Sequence, residues 1–304
     1  MKLKRLLIWN IHRLDKYFDV NLKNVSLPGF KQKSIYQVGK FFVNGLFQED
    51  LGLRASSLAF NFFLAIFPLI IFLFTLIPYI PIDNFQEQIT TFLQRMLPTN
   101  AFEFLNETIQ DIISNQNAGL LSFGFLAAVY FASNGFASML SAFNVGLHRK
   151  LQRNWFDIRL KSIGLLLLVI SILLTTILVS ISFQFSFAYL ENSTDLSQNL
   201  LHILLKFIEY ILTIVLVYFI FSSLYFFGST RDSKWRYFSA GSTLATLLSV
   251  ITTYGFTKYV ENFNSYNKLY GSVGTLLVLM VLIYFNSYVV LIGYELNKSI
   301  DKAS

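Results

Sequence analysis

The chain contains no cysteine among its 304 residues. Disulfides, thiolate metal sites and cysteine nucleophiles are therefore excluded. Charge is scarce as well: Asp, Glu, Lys and Arg make up 13% of the chain, about half the share of an ordinary soluble domain. The three histidines, His12, His148 and His202, stand far apart, and no H-x-H or H-E-x-x-H pairing exists. A zinc site needs such pairing, so no metal is expected. No Walker motif is present, which argues against ATP hydrolysis, and no nucleophile–base pair is visible. No catalytic residue and no cofactor is assigned.

Apolar residues fill the space that charge leaves. They make up 54% of the chain, Phe alone occurs 33 times, and the mean hydropathy is +0.54. The stretch Ala55 to Ile77 runs 23 residues without Asp, Glu, Lys, Arg or His. At about 1.5 Å per residue, a helix of that length crosses a hydrocarbon layer of roughly 30 Å. Five more spans are expected near 120–146, 162–190, 203–227, 238–257 and 272–295. The fold class is thus all-α, a polytopic membrane protein with six transmembrane helices. Residues 1–50 carry amphipathic patterns suited to the interface, 82–118 reads as an outer helical hairpin, and 299–304 is a short tail.

Basic residues set the expected orientation. Of 24 Lys and Arg, 20 fall before the first span, in 147–161, in 228–237 or after Glu295. These are alternate connections, so the positive-inside rule puts both termini in the cytoplasm. The same distribution accounts for the net charge of +7 without nucleic acid as a partner.

Several polar residues lie within the spans. Asn61, Asn134 and Asn286 are placed at membrane depth, with Asn144 near the inner interface and Arg54, Arg149 and Arg159 just beneath. A single intramembrane amide is most simply an interhelical hydrogen bond, worth about 0.6 kcal/mol on average. The set together points to a polar cavity open to the cytoplasmic leaflet, able to hold an anionic headgroup. Pro68 marks a kink in the first span. The second span carries small residues every fourth position (Gly124, Ala128, Ala132; Ser133, Ala137, Ser141), which predicts close packing and a central place. No segment of one half visibly mirrors the other.

Three stretches carry a resemblance: ASSLAFNFFLAIFPLIIF, GLLSFGFLAAVYFASNGFASMLSAFN and YGSVGTLLVLMVLIYFNSYVVLIGYELN, together with the layout from Arg153 to Arg159. Over residues 40 to 298 the chain resembles the YihY/BrkB family of bacterial inner-membrane proteins. The resemblance implies six spans with both ends cytoplasmic. The family long carried a ribonuclease BN label, for which this sequence offers no metal constellation. Links of some relatives to serum resistance and of others to lipopolysaccharide export imply a translocator of a lipid or anionic amphiphile. The competing expectation is a non-transporting scaffold or envelope assembly factor that holds partners through its N-terminal collar. Membrane lipids are the expected partners; the oligomeric state is left open.

Overall fold

The computed structural model describes residues 30, 33–48, 50–79, 87, 90–91, 117–144, 154–191, 198–229, 237–262 and 264–303. Within them the side chains of 177, 180–181, 184–202, 205, 260–262 and 264–275 are left aside. The expected amphipathic segment before Phe30, Arg149 and nearly all of the outer hairpin lie outside the described residues. Every regular element described is helical.

Helix α1, Ile35–Gln48, starts at Ser34, whose Oγ accepts from the Gln37 amide at 3.2 Å. Ser followed three residues later by Gln is the pattern that satisfies the free amides of a helix start. Asp50, at φ 45° and ψ 48°, turns the chain sharply into α2, Leu51–Leu76. The left-handed region is one that Asp tolerates better than most residues. Helix α2 continues through Pro68 and ends in a 3-10 turn, Ile77–Tyr79. Four further long helices and one of 23 residues follow: α3 (Ala118–Asn144), α4 (Trp155–Glu191), α5 (Gln198–Gly228), α6 (Ala240–Asn262) and α7 (Asn264–Lys302).

Each of α2 to α7 packs on the next, and α7 closes back onto α2. Helix α1 lies on α7, where Val38 is buried with Leu296 and Ile300. The chain is a polytopic all-α membrane protein. Among the described residues five helices are long and apolar enough to span: Leu51–Tyr79, Ala118–Asn144, Trp155–Thr176, Lys206–Gly228 and Leu276–Lys302. Helix α6, at the expected fifth span (238–257), differs from those five in composition. It is long enough at 23 residues, about 34 Å, but Ser242, Thr243, Thr246, Ser249, Thr252 and Thr253 dilute its apolar content.

The tightest packing sits at one end of the bundle, where α2, α4 and α6 begin and α3, α5 and α7 finish. We call it the basic end, because the segments joined there carry most of the Lys and Arg. Phe143 of α3 stacks on Tyr294 of α7, with ring centroids 3.8 Å apart and planes at 5°. Tyr225 of α5 donates to the Val290 carbonyl at 2.9 Å, and Tyr294 donates to that of Phe143 at 3.1 Å. Each buried phenol thus has an acceptor. Beside them α6 and α7 touch backbone to backbone: a Cβ on Gly241 would come within 2.1 Å of the Gly293 carbonyl oxygen. At the opposite end α5 is exposed at Ile203, Phe207, Ile208 and Tyr210, and α6 at Ile251, Tyr254 and Tyr259.

Helices α2 and α3 form the most extensive pair. A Cβ on Gly124 would come 3.2 Å from the backbone of Phe72, the close approach that its small-residue series predicts. Gly135, outside both series, seats the Phe62 ring, which also meets Phe136 edge-on at 5.5 Å.

Candidate functional site

The polar residues gather on α3. Its positions 136, 140 and 143 share one face, and all three belong to the core with Tyr225 and Tyr294. Positions 134, 138 and 141 share the opposite face. There α2 and α4 flank α3 and leave a groove of about 510 Å³. That volume falls in the range of sites for small ligands. Its floor is Asn134, Ala137, Ser138, Ser141 and Ala142; α2 supplies Arg54, Ser57 and Asn61, and α4 supplies Trp155, Ile158 and Arg159. The site therefore lies towards the basic end, on the side of α3 turned away from the core.

Hydrogen bonds hold the two guanidinium groups there. Arg54 Nη1 donates to the Ala142 carbonyl at 2.9 Å, tying the start of α2 to the end of α3. Arg159 Nη1 donates to Asn134 Oδ1, and its guanidinium carbon lies 4.8 Å from the centroid of the Tyr130 ring. Cation–π contact and hydrogen bond together fix the Arg159 plane. Lys161, two residues on, behaves differently: it pairs with Asp157 at 3.7 Å on an exposed face. Asn61 Nδ2 donates to the Ser57 carbonyl of its own helix at 2.9 Å.

Among the described residues no carboxylate lines the groove. Two cations face three serine hydroxyls and two amides, so the field inside is positive and the donors suit a phosphate or carboxylate. Among the described residues that line the groove, none is a histidine or a carboxylate. Among the described residues no group of His, Asp and Glu could hold a metal ion.

Of the seven residues expected at the site, the structure brings four together: Arg54, Asn61, Asn134 and Arg159. Arg149 lies outside the described residues. Asn144 is buried near the end of α3 and does not line the groove; its Oδ1 has no hydrogen-bond partner. Asn286 lies elsewhere, on the α6–α7 seam, where Oδ1 accepts from Ser249 Oγ at 2.9 Å and Nδ2 donates to the Leu282 carbonyl at 3.1 Å. Removing the amide by Asn286→Leu should cost about 0.6 kcal/mol of stability and leave ligand binding in the groove unchanged. A loss of binding in a well-folded Asn286→Leu protein would contradict this placement.

Sequence reasoning passed over Ser57, Ser138, Tyr130 and Trp155, and took Ser141 for a packing residue. The signal was available in part: Asn134, Ser138 and Ser141 recur at four- and three-residue steps, as do Ser57 and Asn61.

Comparison with known proteins agrees with this architecture. The sequence model of the family described as Virulence factor BrkB matches residues 42–304. A ribonuclease-like protein of Bacillus subtilis, YfkH, is 27% identical over 82% of this chain and 90% of its own length. A UPF0761 membrane protein of Haemophilus influenzae is 26% identical over 88% of this chain and 97% of its own. Another from Tolumonas auensis is 26% identical over 86% and 84%. No solved structure matches. With the family match covering α2 to α7 and the second half of α1, the chain belongs to the BrkB family of membrane proteins.

Proposed function

We propose that this protein is a non-enzymatic translocator of an anionic lipid or amphiphile in the bacterial inner membrane, with both termini in the cytoplasm. The groove on α3 takes the headgroup. One observation carries the reading: Arg54, Arg159, Asn61 and Asn134 converge on one open groove of about 510 Å³, lined among the described residues by cations, amides, hydroxyls and apolar groups. Cationic side chains at membrane depth are costly unless paired or solvated, and they mark ligand pathways more often than they support folding. Orientation rests on the Lys and Arg distribution, which puts the groove on the cytoplasmic side.

The test is lipid movement in reconstituted vesicles. The full chain should speed the crossing of a headgroup-labelled anionic lipid. The Arg54→Gln and Arg159→Gln double variant should slow it at least tenfold, since hydrogen bonds to charged groups contribute about 1.5–3 kcal/mol each. Folded yield should hold. Equal lipid movement with and without the protein would end the transport reading.

A further inference from the structure

We infer that the groove takes its ligand sideways from the bilayer, and that this ligand is a phosphate-headgroup lipid whose acyl chain lies along Phe123, Leu126 and Tyr130. The inference rests on the anionic-amphiphile reading above and adds the class of ligand and its route.

A change of character along one helix face carries the argument. Phe123, Leu126, Tyr130, Asn134, Ser138 and Ser141 follow one another at three- and four-residue steps, so they form one stripe on α3. The half nearer the basic end is polar and lines the groove. The other half is aromatic and aliphatic and stands open, with Phe123 67%, Leu126 66% and Tyr130 54% exposed. Tyr130 joins the halves, because Arg159 in the groove sits over its ring. From Asn134 to Phe123 the stripe runs about 16 Å along the helix axis, room for much of an acyl chain within one leaflet.

The rim is open as well. Phe60 on the α2 flank and Trp155 and Leu160 on the α4 flank are exposed, so a headgroup need not pass through the bundle to reach Arg159. A water-soluble anion would need the cations and amides alone. A lipid uses both halves of the stripe, charge against its phosphate and apolar surface against its chain. Serine and asparagine side chains along the floor add neutral donors and acceptors for the hydroxyls that a polyol headgroup such as glycerol carries.

The experiment uses the full chain in nanodiscs of phosphatidylcholine doped with phosphatidylglycerol. Lipid that stays with the protein after extraction is identified by mass spectrometry. Phosphatidylglycerol should be enriched about tenfold over its share of the bilayer, and Arg159→Gln should return it to that share. Ala137→Trp fills the groove floor without touching charge and should do the same, with thermal melting reporting that both variants fold. Millimolar inorganic phosphate should displace none of the retained lipid. Phosphate binding by the protein without lipid enrichment would overturn lateral entry while keeping an anion site. Absence of both would overturn the anionic-amphiphile reading too.

Discussion

Gly241→Ala should lower the thermal melting temperature of the purified protein far more than Gly255→Ala in the same helix. Its new Cβ would fall 2.1 Å from the Gly293 carbonyl oxygen and 2.6 Å from Asn297 Cγ. Neither neighbour can yield cheaply. The Gly293 oxygen is backbone in the middle of α7. Asn297 is buried and anchors the start of α6, accepting from the Gly241 amide at 2.8 Å and donating to Ser239 Oγ at 2.9 Å. Pushing the helices apart costs about 1–3 kcal/mol as overpacking. Losing the Asn297 bonds adds about 1–3 kcal/mol for a buried amide left unsatisfied. The sum is a large share of a stability of about 5–15 kcal/mol. Gly255, in the same helix, has nothing within 4 Å of its added Cβ. Gly255→Ala should therefore be neutral or gain up to about 1 kcal/mol from better helix propensity. Equal melting of the two variants would contradict the backbone contact between α6 and α7.

Glu295→Ala should be comparably damaging, for an electrostatic reason. Glu295 and Lys298 lie one helical turn apart near the end of α7, with Nζ and Oε2 3.4 Å apart and side chains only 2% and 7% exposed. Helix α1 seals the pair: a Cβ on Gly45 would meet Glu295 Oε1 at 2.1 Å. Removing one partner of a buried pair costs about 3–5 kcal/mol, because the other charge stays desolvated. Replacing both by apolar residues of similar volume is often neutral. The double variant Glu295→Leu with Lys298→Met should hence melt above Glu295→Ala, and the cycle should show strong coupling. If the double variant were the worse of the two, the pair would not be acting as a unit.

Much of the architecture was legible in order along the chain. Uncharged runs marked the long helices, and the small-residue series through Gly124 foretold a close helix contact, though not that α2 would make it. What escaped was azimuth. Counting from a span end gives the depth of an amide, which is how Asn61, Asn134 and Asn286 came to be grouped. Depth does not say which neighbour a side chain meets. Asn134 meets an arginine 25 positions later, whereas Asn286 meets Ser249 across a different seam. The groove's place on the far side of α3 was hidden for the same reason. It depends on Phe136 and Phe143 finding Phe62, Tyr225 and Tyr294, contacts set by helices distant in sequence. The mixed character of α6 was visible in its threonines and serines, beside the length that carried the expectation of a span at 238–257.

The aromatic clasp at the basic end has a mechanical corollary. Phe143, Tyr225 and Tyr294 interlock α3, α5 and α7 near one extremity of the bundle, so amide exchange should be slowest around those three rings and faster in helix stretches far from them.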